Sequence, residues 1–454
     1  MKGQGNYWLK SGLINVFQNA ASVLFGFGSF FFLVRGLSEH DYGVWTVYMT
    51  TITILNIFRD GLIRNALIKF LSGATAEEKP KIMSAAFTIN LLVTFVIVIL
   101  NLSLGALLAK LLNSPELISL FYLFNIVYVL NGFLTQFNCI EQANFKFKGV
   151  FVSNTVFQAI YFAYVLYCYV LKINIRLNHL VFVQIIGSAT AMFIAFLYTK
   201  PFLNFAIGIY KTWMLKLFNY GKYAFGTAIS SILSGSVDQM MLSSIISPSA
   251  SGVFNVAVKI VNLIDIPTSA VANIVFPQSA KRIESEGKDA IKYLYEKSVG
   301  TILAILIPGL IFIYIFPSFV LYLLAGEKYT DAVPLLRITL LYTLLIPFGR
   351  QFGIILDSIG KTKTTFYIVV VTATLNLTLN YFFILNIGVL GAAYATLLSN
   401  IVGFVIAQYI LRKELGVKFY HTFVYAYRFY PEFYVSFIKP QIVKFKTRKN
   451  YDRG

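Results

Sequence analysis

The sequence predicts an all-α polytopic membrane protein: about twelve transmembrane helices in two parallel six-helix lobes around a central cavity. Three observations predict it. The 454 residues are 57% hydrophobic and only 13% charged, where soluble domains hold about 45–50% and 25%. The apolar residues gather into runs of the length, about 20 residues, that a helix needs to cross a bilayer. Weak sequence matches recur at a nearly constant offset of 209 to 215 residues. This composition excludes a soluble enzyme, since too few polar groups exist to cover a surface. It also excludes a disordered chain, because apolar burial is ample. Twelve spans leave no length for a large soluble domain.

In chain order the apolar runs are 12–34, 43–66, 83–109, 117–140, 150–172, 178–199, 222–246, 251–277, 297–324, 334–356, 364–385 and 389–411. Spans 5 and 6, and spans 11 and 12, lie closest to merging. The first run continues into a full-length span, unlike a cleavable leader. The net charge of +19 sorts by side: with the N-terminus inside, 28 Lys and Arg fall on inner segments and 6 on outer loops. Both termini are therefore expected in the cytoplasm, and nucleic acid is not needed to explain the charge. Cys139 and Cys168 sit in apolar runs and offer no disulfide or zinc framework.

In the repeat, Tyr42-Gly43-Val44-Trp45 answers Ser251-Gly252-Val253-Phe254, Lys146-Phe147-Lys148 answers Lys361-Thr362-Lys363, and Tyr198-Thr199-Lys200 answers Leu411-Arg412-Lys413. An offset of six spans keeps both halves in one membrane orientation. That is the parallel-repeat architecture of transporters, with the substrate site between halves. The expected organisation is a six-helix lobe over 1–199, an amphipathic cytoplasmic linker over 200–221, a second lobe over 222–411, and an aromatic and basic interfacial tail over 412–454. A disordered basic tail is the competing reading.

Charges inside the membrane mark the candidate site, because each normally faces a cavity or a partner. Span 2 carries Asn56, Asp60 and Arg64 on one face at four-residue spacing. Asp60 and Arg64 are placed to pair along the helix, which leaves Arg59, to the side, the freer cation. Span 7 carries Thr227, Ser231, Ser234 and Asp238. Span 8 carries Asn255, Lys259, Asn262, Asp265, Ser269 and Asn273, a stripe suited to an aqueous cavity. Span 10 carries Arg350, whose guanidinium cannot be neutralised. Span 11 carries Asn376 and Asn380, which also serve as packing glue. Candidate substrate-binding residues are thus Arg59, Arg64, Lys259, Arg350, Asn262 and Asn255. Asp60, Asp238 and Asp265 are candidates for ion coupling or charge pairing, and a Lys259–Asp238 pair gluing two spans is the bland alternative. The three histidines lack metal-ligand spacing. No P-loop and no nucleophile–base set appear. No cofactor is expected, and H+ and Na+ are the open candidates for coupling.

Three stretches resemble a known family: Leu33 to Thr51 (LVRGLSEHDYGVWTVYMTT), Ser236 to Arg282 (DQMML, SGVFNVAVKI, VFPQSAKR) and Gly360 to Ser399 (GKTKTTFY, LNLTLNYFFI, GVLGAAYATLLS). They are similar to the bacterial polysaccharide-unit flippases (Wzx type) of the multidrug/oligosaccharidyl-lipid/polysaccharide exporter superfamily. The resemblance runs through about residue 412. It implies two lobes that alternate between inward and outward faces in the bacterial inner membrane. It implies as substrate an oligosaccharide on undecaprenyl pyrophosphate, destined for O-antigen, capsule or exopolysaccharide, with membrane lipids and other polysaccharide-assembly proteins as partners. Cationic side chains in a cavity suit a pyrophosphate. A cation-coupled multidrug exporter of the same superfamily is the first alternative; its cavity should be dominated by acids, whereas the intramembrane charges here are four positive and three negative. A membrane glycosyltransferase is disfavoured by short external loops. A non-transporting scaffold of a synthesis complex is the remaining class.

Overall fold

The computed structural model describes residues 21–264, 266–359 and 361–435. All of its regular structure is helical. In order these are α1 (Ala21–Gly36), α2 (Glu39–Ser72), α3 (Glu78–Leu111), α4 (Leu117–Ala143), α5 (Lys148–Val170), α6 (Leu177–Thr199), α7 (Lys211–Ile245), α8 (Pro248–Ile264), α9 (Ile266–Ile315), α10 (Pro317–Ala325), α11 (Val333–Thr343), α12 (Ile346–Ser358), α13 (Thr362–Ile387), α14 (Val389–Leu415) and α15 (Phe419–Phe433). Among the described residues eight segments are both long and apolar enough to cross a membrane. α2 and α7, with 34 and 35 residues, have the length but carry polar and charged side chains within it. Each apolar run of the sequence falls wholly or mainly on these helices, so this is an all-α, multi-pass membrane protein.

The helix breaks have local causes. Spans 5 and 6 stay separate because the chain turns after α5, with Lys172 at φ 54°. Spans 11 and 12 are divided at Gly388, whose φ of 69° suits a residue without a Cβ. Pro317 and Pro347 each stand in the first turn of a new helix, so spans 9 and 10 are each built from two pieces. Gly287, with φ 75°, interrupts α9.

Contacts divide the chain into two compact units, 1–253 and 254–454. In the first, α2 packs against α4 and α7, and α4 against α6 and α3. The division does not fall at the linker. After a single 3-10 turn at Lys200–Phe202 and a non-helical stretch to residue 210, α7 begins at Lys211 and runs unbroken from the second half of the expected linker into span 7. One edge of that segment packs into protein, while Leu215, Phe218 and Tyr220 stay exposed. Leu217 is fully buried among Ile63, Ala66, Leu67 and Ile140, with Trp213 packed alongside. α7 meets α2 closely at Gly221, where an added Cβ would stand 1.8 Å from the Leu62 carbonyl oxygen.

In the second unit, α9 holds the core. Tyr295, Val299 and Leu303 pack with Phe352 and Ile355 of α12 and with Leu411 of α14. Asn376 of α13 donates to Thr396 and Ser399 of α14, at 3.2 Å each, the packing role open to it from its sequence. The start of the tail is ordered. α15 packs along α9, with Thr422 and Ala426 turned to Gly300; a Cβ there would lie 2.6 Å from the Thr422 carbonyl oxygen. Glu296, buried in α9, accepts from the Lys418 backbone N–H at 2.9 Å and meets His421 Nδ1 at 3.1 Å. A disordered tail is therefore excluded for residues 419–433. The basic stretch with Lys444, Lys446, Arg448 and Lys449 lies outside the described residues.

Candidate functional site

The two intramembrane arginines of α2 open onto one cavity of about 410 Å³ within the first unit. Asn56, Arg59, Asp60 and Arg64 form its α2 wall; Asn131, Thr135, Asn138 and Gln142 line the α4 side, and Asn154 and Phe157 the α5 side. α2 lies against α4, which brings the charged side chains onto the polar face of its neighbour.

Arg59 is the anchored cation. Its side chain is only 1% exposed, and it donates to Asp60 Oδ1 at 2.9 Å, to the Tyr128 carbonyl at 2.6 Å and to Asn56 Oδ1 at 3.3 Å. Its guanidinium lies 4.4 Å from the centre of the Tyr128 ring, a cation–π geometry. Gly132 leaves room for it: an added Cβ would be 3.4 Å from Arg59 Nη1. Asp60 is thus held by Arg59, not by Arg64 as helical spacing suggested. The reason is tertiary. Helical spacing sees only same-helix neighbours, while the α4 carbonyl draws Arg59 inward and across Asp60. Among the described residues Arg64 forms no ion pair or hydrogen bond; it is exposed and lines the cavity. The lining therefore carries two guanidiniums against one carboxylate. An Arg presents several N–H donors in a fixed fork that matches phosphate oxygens.

The other expected site residues lie elsewhere. Lys259, Asn262 and Asn255 sit on α8 and Arg350 on α12, in the second unit. Lys259, Asn262 and Arg350 are exposed and Asn255 is buried. Asp238, on α7, is 4% exposed and does not line this cavity. Asp265 lies outside the described residues, as do the side chains of Thr227, Ser231, Ser234, Ser269 and Asn273.

The α4 wall is what the search for charges missed. Asn131, Thr135, Asn138 and Gln142 follow one another at steps of four, three and four, a continuous helix face. The same spacing marks span 7, but the α4 face carries no charge, and an uncharged amide in a membrane helix is equally common as packing glue. Thr135 Oγ1 reaches Asp60 Oδ2 at 3.5 Å, and Asn138 Oδ1 accepts from Ser153 at 3.3 Å. Among the described residues, the side chains of Asn131, Gln142 and Asn154 hydrogen-bond to no protein group.

The opposite end of α2 is packed shut. Gly43 lies against the start of α8, where an added Cβ would be 2.0 Å from the Pro248 carbonyl oxygen, and a Cβ on Gly252 would stand 3.1 Å from Gly43 Cα. These are the two glycines of the internal repeat. Thr50 donates to Gln239 at 2.9 Å in the buried interior, Ser243 Oγ to the Leu112 carbonyl at 2.6 Å, and Asn113 Nδ2 to the Ser244 carbonyl at 2.9 Å.

Comparison with known proteins bears on what such a cavity serves. Residues 32–334 match the polysaccharide biosynthesis protein family. The chain belongs to that family. It is also 19% identical over 403 residues to the lipopolysaccharide biosynthesis protein WzxC of Escherichia coli K12, covering 86% of this chain and 78% of that one. Among solved structures it shares its fold with the lipid II flippase MurJ in an inward closed conformation, with TM-score 0.74, 18% identity, and 94% and 92% of the two chains covered. It shares it also with an inward-facing MATE-family multidrug resistance transporter of the MOP superfamily, with TM-score 0.72, 14% identity, and 86% and 95% covered. The family match agrees with the resemblance carried by the helix-end motifs. The fold is common to a lipid flippase and a drug exporter, so the side chains of the site must separate those two activities.

Proposed function

We propose that this protein is a flippase for a lipid-linked oligosaccharide, with an undecaprenyl-diphosphate-linked repeat unit as its substrate and the outer leaflet as its destination. One observation carries the reading: the first unit holds a cavity with net positive lining, built on buried Arg59 and accessible Arg64. Two guanidiniums in one lining match a diphosphate, whose oxygens accept charge-assisted and often bidentate hydrogen bonds from Arg. A cavity for cationic drugs would need the reverse sign. Membership in a polysaccharide biosynthesis family supports the glycan. The excess of basic residues on the segments that flank the Arg64 end supports a cytoplasmic position for that end, so the substrate enters from the side on which it is made. The packed crossing at Gly43 and Gly252 then closes the outer side, and alternating access requires that it part.

The test is reconstitution of the purified chain in liposomes that contain an undecaprenyl-diphosphate oligosaccharide. Translocation is read by its accessibility to an impermeant glycosidase or lectin. The expected result is protein-dependent movement that falls at least tenfold in Arg64→Ala, a variant that removes an exposed side chain and strands no partner among the described residues. Wild-type movement by Arg64→Ala and Arg59→Ala together, or transport of a cationic dye in place of the glycolipid, would overturn the reading.

A further inference from the structure

The cavity has two chemically different walls, and the flippase reading uses only one. α2 supplies the cations. Facing it, α4 and α5 supply Asn131, Thr135, Asn138, Gln142 and Asn154. We infer that this amide wall is a saccharide-reading site that selects which glycan is moved, while the arginines hold the diphosphate common to all such lipids. The inference rests on the flippase reading above.

Three features support it. A primary amide offers donors and an acceptor together, the complement of a sugar hydroxyl, which does the same. Asn131, Gln142 and Asn154 make no hydrogen bond to described protein groups, so their capacity is free for a ligand. Packing glue would be satisfied by the neighbouring helix, as Asn376 is by Thr396 and Ser399. The spacing also fits: eleven residues separate Asn131 from Gln142, which is about 16 Å along a helix. That is the scale of a short oligosaccharide rather than one ring. Such a wall discriminates, because a sugar lacking the matching hydroxyl leaves an amide of the lining unpaired once the sugar has displaced its water.

The experiment compares two readouts on the full-length chain. The first is surface glycan in the source cells after the native gene is replaced by each variant, which guarantees the natural substrate. The second is binding of sugar-free undecaprenyl diphosphate to the protein in nanodiscs. The combined variant Asn131→Ala, Gln142→Ala, Asn154→Ala should lower surface glycan at least tenfold while its affinity for the sugar-free lipid stays within twofold of wild type. Arg64→Ala should lower both, by fivefold or more. Should the triple variant fail to accumulate, Asn154→Leu alone is judged by the same two readouts, with a threefold loss of glycan expected. Normal glycan export by the amide variants would overturn the inference, and so would a parallel loss of the sugar-free lipid. If wild type does not bind that lipid and Arg64→Ala exports normally, the flippase reading itself fails, and the inference with it.

Discussion

The two ends of α2 are built for opposite tasks. At the Arg64 end polar side chains face a cavity of about 410 Å³, and several of them hydrogen-bond to no protein group among the described residues. At the Gly43 end the helices approach until only a glycine hydrogen fits between them, and the polar groups of Thr50, Gln239 and Ser243 are satisfied inside the protein. The difference lies in side-chain size and pairing rather than in polarity, since both ends are rich in polar residues. A polar residue paired across helices closes a bundle; the same residue left unpaired keeps a site ready for a ligand. Only the structure tells these two situations apart.

Substitutions at the two ends should therefore differ in kind. The largest loss of stability is expected for Arg59→Ala, which strands Asp60 and removes the bond that ties α2 to the Tyr128 carbonyl. It should cost about 3 kcal/mol, the low end for a buried pair, because Asp60 keeps 30% of its side chain exposed; thermal unfolding in detergent measures it, and transport should be lost too. Gly43→Ala comes next. Its Cβ meets a backbone carbonyl that cannot swing aside, at a cost of about 1–3 kcal/mol of overpacking. A cysteine placed at Ser247 should then react faster with an impermeant maleimide as the crossing loosens. Thr50→Val removes one buried hydrogen bond, at about 1 kcal/mol, and should lower the melting temperature slightly without changing labelling at the Arg64 end. Arg64→Ala should leave stability unchanged within about 0.5 kcal/mol, as exposed substitutions do, yet abolish most transport. If Arg64→Ala instead unfolds the protein, the cavity end is a structural seam like the other.

In the second unit, Glu296→Ala should free α15 by removing the acceptor for the Lys418 N–H and for His421. The cost of leaving those groups unmatched is about 1–3 kcal/mol. Limited proteolysis between α14 and α15 would show it as faster cleavage.

Much of this fold was legible in the sequence because membrane spans announce themselves by length. The boundaries that moved did so for reasons outside a hydropathy run. The second half of the linker became the first turns of α7 because Trp213 and Leu217 find a protein surface at the end of α2. The tail helix docks on Gly300 through Thr422 and Ala426, small residues whose four-residue spacing is present in the sequence beneath the more conspicuous aromatics. Arg59 was legible as an expensive intramembrane charge, but its partners were not, since Tyr128 lies 69 residues away. The amide wall of α4 has the same 4-3-4 spacing, four residues then three then four, as span 7, but without a charge that spacing does not distinguish a site from helix packing. The glycine pair of the repeat was visible as a match, while its meeting in space was not.

The central claim is that the cavity between the α2 cations and the α4–α5 amides holds the glycolipid head. The most direct measurement is a cryo-electron microscopy structure of the chain in nanodiscs with an undecaprenyl-diphosphate oligosaccharide. Diphosphate density within about 3 Å of the Arg64 guanidinium, with sugar density running along Asn131 to Gln142, is the predicted result. Well-resolved glycolipid density elsewhere in the protein, with this cavity filled only by water, would contradict it.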